Sequence, residues 1–293
     1  MKAEVSITKP GHFAAKLVRI DLHRLWMQGF AETLPRVAHV TLVPGRAVIS
    51  IPLQANRSSN SGAIETPLPA SFQRFSEAYS GFSRSTGPIQ SGSMSLAIAD
   101  MEALGASYGG SDFTPPRESL RIHPPVGAME RLRSLHLEAQ HLAEHAPEMI
   151  TNAEAARGME QALITAMADC LCDPDARQTG IANQHHAKIM RRFHAMLEEH
   201  PNDVLHTTDL CREIGVSRRT LNTCCNDALG MSPHRYLKIR QLNLAHRALA
   251  RADAATATVT DIATAHGFWE LGRFAIAHRA LFGEPPSVTL QRR

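Results

Sequence analysis

Thr207-Thr-Asp-Leu-Cys-Arg-Glu-Ile-Gly215, followed by Val216, Ser217 and Arg218-Arg-Thr-Leu-Asn-Thr-Cys-Cys-Asn-Asp-Ala-Leu-Gly230, is the stretch on which the reading of this chain turns. Its first run has the spacing of a short helix and ends in glycine, the residue that most easily closes a helix in the left-handed conformation. Ser217 is an N-cap candidate for a second helix, which runs to Leu229 and Gly230. Helix, glycine-containing turn of three or four residues, helix is the outline of a helix-turn-helix unit.

The outline recurs. Thr258-Val-Thr-Asp261 resembles a capping box with Asp in place of Glu, Ile262-Ala-Thr-Ala-His266 supplies a first helix, Gly267-Phe268 a turn, and Trp269 to Phe282 a second helix ending at Gly283. Between the two units, Tyr236, Leu237, Leu242, Leu244, Ala245 and Leu249 recur at helical spacing, with arginines on the other side. A connecting helix of about 18 residues spans on the order of 27 Å. Successive major grooves on one face of B-DNA lie roughly 34 Å apart, so the two second helices are spaced for neighbouring grooves. One such unit is a weak signal, because any pair of helices gives it. Two copies joined by a helix of this length are a much stronger one.

Charge follows the same division. Lys and Arg exceed Asp and Glu by 5 over residues 185–293, whereas residues 1–184 carry −2, and nine of the 16 histidines lie in the basic part. The C-terminal third therefore suits a polyanion partner, although an excess of this size also occurs on ordinary solvated surfaces.

Outward toward the N-terminus, two runs have a period of 3.6. Met129, Leu132, Leu135, Leu137 and Leu142 lie along one, and Met159, Leu163, Ile164, Met167 and Leu171 along the next, with Ala146-Pro147 between them. They predict a helical hairpin, either a lid or dimerisation surface or simply part of the core. Asp173-Pro-Asp-Ala-Arg-Gln-Thr-Gly180 has linker composition. Before the hairpin, residues 14–22, 36–43, 46–51 and 92–98 are short, partly alternating and β-branched, separated by Pro-Gly at 44–45 and by Ser, Gly and Pro runs at 57–62, 67–71 and 87–93. They predict a small barrel or sandwich, with Leu22-His-Arg-Leu-Trp-Met27 the one helical alternative. The expected fold class is α+β: a β-rich domain with a helical hairpin over 1–172, a linker over 173–184 and an all-α domain over 185–293.

With 293 residues the chain is long enough for two domains, and 43% hydrophobic with 20% charged residues is globular composition. Five cysteines, none before residue 170, are not a secreted disulfide framework. No apolar run reaches 18 residues, and Lys2, Lys9, Lys16 and Arg19 interrupt any signal-peptide pattern. A cytoplasmic protein without membrane contact is expected.

At three motifs the chain resembles the C-terminal domain of the AraC/XylS family of bacterial transcription regulators. These are Asp209 to Leu221, then Gly230-Met-Ser-Pro-His-Arg-Tyr-Leu237 running into Arg240-Gln-Leu-Asn-Leu-Ala245, and then Asp261-Ile-Ala-Thr-Ala-His-Gly-Phe268 with Phe274 and Phe282-Gly-Glu-Pro-Pro286. The likeness covers about residues 185–290. It implies a double helix-turn-helix domain on double-stranded DNA, preceded by a cupin-like barrel and helices that sense a small molecule or form a homodimer, with RNA polymerase as a further partner. The chain departs from the family's pattern at four places. Cys224-Cys-Asn-Asp227 replaces an aromatic and basic stretch, Gly272 and Ile276 stand where polar or basic residues are common, and His278 stands where an aromatic is usual.

By helix position Arg218, Arg219, Asn222 and Thr223 face the first groove, where Arg can grip guanine, Asn can pair with adenine and Thr can touch a thymine methyl or a phosphate. In the second unit Arg273 is the expected base reader, and Glu270 can accept from cytosine. Trp269 either shapes the approach to the backbone or joins the core. Ser217, Arg235, Lys238, Arg240 and Arg279 are expected at phosphates. Leu221, Ile214, Ile262, Phe268, Phe274 and Phe282 are read as structural.

No catalytic residue and no cofactor is expected. Cys170-Leu-Cys172 with His185-His186 has the wrong spacing for zinc, since Cys-x-Cys on a helix points its thiols apart. A cupin-type enzyme needs His-x-His with a following Glu, whereas His23 and His39 stand alone. The alternatives are an architectural protein that binds DNA without sequence preference and a β-barrel enzyme with a helical appendage.

Overall fold

The computed structural model describes residues 2–54, 71–109, 112–172, 177–180, 184–200 and 203–292. The turn runs expected at 57–62 and across most of 67–71 lie outside them. In chain order, β1 (Lys2–Ile7), β2 (Ala15–Asp21), β3 (Trp26–Glu32), β4 (Arg36–Thr41), β5 (Arg46–Pro52), β6 (Phe72–Arg74), β7 (Ser80–Arg84) and β8 (Ile89–Ala97) lead into α1 (Ile98–Ser107) and β9 (Leu120–His123). Then follow α2 (Val126–His145), α3 (Pro147–Thr151), α4 (Ala153–Cys172), β10 (Arg177–Gly180) and α5 (Gln184–Glu199). The chain closes with α6 (Thr207–Ile214), α7 (Arg218–Leu229), α8 (Pro233–Arg251), α9 (Val259–Ala265), α10 (Leu271–Phe282) and α11 (Pro286–Gln291).

The N-terminal strands make two antiparallel sheets, β1-β4-β7 and β10-β9-β6-β5-β8-β3-β2. Leu22 to Leu25 form a tight turn, closed by the Leu22 amide on the Leu25 carbonyl, and not a helix. Trp26 and Met27 instead begin β3, whose alternation buries Met27. Residues 177–180, inside the stretch of linker composition, pair with β9 as β10.

Helices α2 and α4 pack together as the expected hairpin, with α3 at its turn. Gly29 and Gly92 face each other across β3 and β8. A Cβ on Gly29 would strike Gln140 and one on Gly92 would strike His136, so the glycine pair is what lets α2 lie this close to the sheet. The fully buried His136 donates from Nε2 to the Ser93 carbonyl and accepts at Nδ1 from Gln140 Nε2 at 2.8 Å. Burial pushes its pKa down to about 4.

Three hydrophobic cores form among the described residues. Ile49, Phe72, Met94, Leu132, Leu163 and Met167 belong to the first, within the N-terminal domain. The third holds Leu242, Leu249, Ala263, Phe274 and Leu281 of the last helices. The second crosses between domains: Val37 of β4 and Phe82 of β7 join Phe193 and Leu197 of α5, Leu210, Ile214, Leu221, Leu229 and Tyr236. The first helix-turn-helix unit therefore completes its core on the small sheet of the N-terminal domain.

Candidate nucleic-acid interface

The first unit is α6, a turn through Gly215 with φ +77°, and α7. Ser217 caps α7, its Oγ accepting from the Thr220 amide at 3.0 Å. Leu221, Cys224, Cys225 and Leu229 turn inward, which explains the unusual Cys-Cys pair as core. Burial pushes the Cys225 thiol far above its usual range, the neighbouring Cys224 and Cys211 adding to the effect. What faces out is Arg218, Arg219 and Thr223, with Asn222 half-buried beside them. The Thr223 hydroxyl donates to the Arg219 carbonyl at 3.1 Å, leaving its methyl free to face outward.

The second unit repeats the plan. Thr258 caps α9, accepting from the Asp261 amide at 3.1 Å and donating to the Asp261 carboxylate at 2.6 Å. Gly267 makes the turn with φ +80°. The regular helix α10 begins at Leu271, two residues later than the spacing suggests, because Glu270 stands as its non-helical cap with φ −92° and ψ 84°. The Glu270 carboxylate pairs with Arg273 at 2.7 Å. Trp269 is 80% exposed, so it stands out from the surface and not in the core. His278 fills the usual aromatic position among Phe274 and Phe282. It is buried, donating from Nδ1 to the Glu284 carbonyl and bonding His246 at 3.1 Å. Burial and the neighbouring His278 hold the His246 pKa down at about 4.

Helix α8 carries both units. Ser232 caps it and Pro233 opens it, and its 19 residues give a length of about 28 Å at 1.5 Å each. Arg235 and Lys238 are exposed on it and Arg279 on α10, as phosphate contacts require. Arg240 is different. It is 6% exposed, its Nε donates to Glu4 Oε1 at 2.9 Å and its Nη2 to the Leu197 carbonyl at 3.3 Å. The expectation of a phosphate contact from Arg240 fails for a packing reason: its side of α8 faces strand β1 and is closed to solvent.

Along that same face, Asn243 accepts from the Ile7 amide at 2.9 Å and donates to the Ile7 carbonyl at 3.1 Å. Arg247 donates to the Val5 carbonyl at 2.8 Å. Tyr236, Arg240, Asn243 and Arg247 recur at steps of four, three and four, one stripe of a helix. That polar continuation of an apolar stripe was the available signal, and no local pattern announces Glu4 as its partner. A further contact of the domains is His39 of β4 stacked on His194 of α5, with Phe82 edge-on to both. Burial and mutual repulsion push His39 down to about 4, and burial does the same for His194.

The zinc-like elements fall apart in space. Cys170 is in the N-terminal core, and His186 bonds Asp227 of α7 at 2.9 Å. Among the described residues no group of three or more His, Cys, Asp or Glu is arranged to hold a metal ion.

A family described as a helix-turn-helix domain matches residues 210–292. Over 103 residues the chain is 40% identical to a probable thc operon regulatory protein of Rhodococcus erythropolis, covering 35% of this chain and 31% of that protein. Over 78 residues it is 38% identical to XylDLEGF operon transcriptional activator 1 of Pseudomonas putida, covering 27% and 24%. The match thus spans about a third or less of these curated relatives. The crystal structure of a probable AraC family transcriptional regulator from Rhodopseudomonas palustris is 35% identical, with 36% of this chain and 95% of that one covered and a TM-score of 0.32. Two capped helix-turn-helix units on one long helix, together with the sequence likeness that spans them, show that the chain carries an AraC-type helix-turn-helix domain in its C-terminal third.

Proposed function

We propose that the protein is a sequence-specific DNA-binding transcription regulator that works without catalysis, in the cytoplasm. The observation that carries this reading is the pair of exposed second helices, α7 and α10, fixed at the two ends of α8. Arg218, Arg219, Asn222, Thr223, Arg273 and Glu270 are the base readers in this proposal. Ser217, Arg235, Lys238, Arg279 and Trp269 position the backbone. None of the five cysteines is joined in a disulfide, in keeping with a reducing compartment.

Control by a small molecule fits the way the domains meet. A cavity of about 670 Å³ lies between β1, residues 11–13 and the last helices, with Val5, Phe13, His246, Arg247, Phe282 and Arg292 on its walls. That volume is in the range of small-molecule sites, roughly 300–1,000 Å³. An effector there acts by binding the docked and undocked domains with different affinity. A homodimer and RNA polymerase are the further partners of this reading.

Fluorescence-anisotropy titration against the gene's own upstream region and a scrambled duplex, at two salt concentrations, is the test. A specific regulator prefers its site by about a thousandfold or more, and both affinities fall as salt rises. Equal affinity for the upstream and scrambled duplexes would instead point to an architectural DNA-binding protein or to an operator elsewhere in the genome.

A further inference from the structure

We propose that Ile276 is a specificity-determining residue that receives the C5-methyl group of thymine in the second major groove, with Gly272 clearing room for the approach. The proposal rests on reading α10 as a DNA-contacting helix and goes beyond it by assigning the chemistry of that contact.

The first observation is where Ile276 stands. It is 72% exposed, one of the most exposed large aliphatic side chains described, on a helix that buries Phe274, His278 and Leu281 on its other side. At 100° per residue, Arg273 and Arg279 lie about 60° to either side of it. Both are exposed. Ile276 is thus the centre of the outward face, flanked on one side by Arg279 and on the other by Arg273, whose guanidinium is paired with Glu270. A partner seated there by those charges covers an apolar, β-branched surface first.

Gly272 gives the second observation. It lies about 40° from Ile276 on the same face. Its φ is not positive, and a Cβ placed on it would meet nothing within 4 Å. Neither backbone conformation nor packing within the protein calls for glycine there, and glycine is a poorer helix residue than alanine. A missing side chain beside an exposed Ile makes a shallow recess whose use lies outside this chain.

The first unit shows the contrast. The corresponding outward face of α7 presents Arg218, Arg219, Asn222 and Thr223, all able to hydrogen-bond base edges or phosphates. Ile276 has no hydrogen bond to offer. Among the base edges of the major groove, the thymine methyl is the apolar group, so it is the one an aliphatic side chain can distinguish. The first unit therefore reads DNA by donors and acceptors, and the second adds a methyl contact and fit to the hydrogen bonds open to Arg273 and Glu270.

The experiment begins with duplexes selected from a random pool by the full-length protein. Each thymine in the half bound by the second unit is then replaced by deoxyuridine, which removes the methyl and leaves base pairing intact. Burial of one methyl-sized group is worth about a fourfold change in affinity, so the native protein should lose about three- to fivefold at one or two positions. Ile276→Ala should bind the unmodified site more weakly and be indifferent to the same replacements, while Ile276→Val keeps part of the sensitivity. Gly272→Ala should weaken binding while leaving thermal stability the same or slightly higher, since alanine is the better helix residue at a site with room for its methyl.

A native protein that prefers its selected site yet shows no response to deoxyuridine anywhere in that half overturns the proposal while leaving the proposed function standing. The methyl contact is equally overturned if Ile276→Ala binds DNA normally but fails to activate or repress transcription, which would make the patch a protein contact. If the native protein enriches no sequence at all, it is the proposed function that falls, and the methyl contact falls with it.

Discussion

Glu4 and Arg240 are 236 positions apart in sequence and 2.9 Å apart in space, tying the first strand of the protein to the helix that joins the two helix-turn-helix units. Arg240 is almost wholly buried while Glu4 keeps some solvent. Replacing the carboxylate by a neutral amide leaves a buried guanidinium without its counter-charge, its other acceptor being the Leu197 carbonyl. Glu4→Gln should therefore destabilise the docked protein by about 1–3 kcal/mol, less than the roughly 3–5 kcal/mol of a fully buried pair. Thermal unfolding, with limited proteolysis to report domain separation, measures it. Pairing Glu4→Gln with Arg240→Met should recover part of the loss, because the unpaired charge is then gone.

Lys238 and Arg240 lie two residues apart on α8 and should behave oppositely in a DNA titration. Lys238 faces solvent. Lys238→Ala should weaken binding to all sequences alike and lower the slope of log affinity against log salt by about one. Arg240→Ala should leave that slope unchanged and show itself in stability.

Arg219 projects outward from α7, whereas Arg273 is held by Glu270. Arg219→Ala should relax discrimination at one base position by about 1–3 kcal/mol. Glu270→Gln releases Arg273 and should broaden preference in the second half-site while leaving the first as it was. Affinity ranking across single-base variants of the selected site checks both.

His39 and His194 make the domain contact sensitive to acid. Both are held near 4 in the folded protein, below the usual 6.5, by burial first and, for His39, by the neighbouring ring. Above about pH 6.5 both rings are neutral folded or unfolded, and the stacked contact is at full strength. As pH falls from about 6.5 toward 4 the unfolded chain takes up protons that the folded one refuses, so stability declines across that window and levels off below it. His136 and His246 are depressed similarly and contribute to the same decline. His39→Phe should flatten part of the slope in a pH series of thermal unfolding, and domain separation should track that part.

The sequence announces elements whose caps are local and hides those whose partners are distant. Gly215, Ser217, Gly230 and Thr258 sit where a helix must end or begin, and the structure uses each that way. The hairpin of α2 and α4 is equally plain in its spacing. Helix α5 is marked by Ile189, Met190, Phe193 and Leu197 at helical steps, but no readable turn precedes it, and spacing alone does not delimit it. Strands such as β6 and β9, with three and four residues, are too short for alternation to stand out. Trp269 is ambiguous in sequence because an aromatic at the start of a helix suits either core or surface, and only packing decides. Arg240 misleads for the same reason: a basic residue on a DNA-binding helix reads as a phosphate contact until strand β1, more than two hundred residues away, is laid against it.

Among the described residues strand β1 is the last strand of its sheet, so one side of its backbone has no neighbouring strand to bond. Asn243 and Arg247 occupy that side, satisfying the Ile7 amide and carbonyl and the Val5 carbonyl in place of a strand. The contact that docks the domains is thus also a guard rail against strand addition. Any mutation that pries α8 from β1 bares a ready template for another chain, so loss of the docked state and a tendency to aggregate should arrive together.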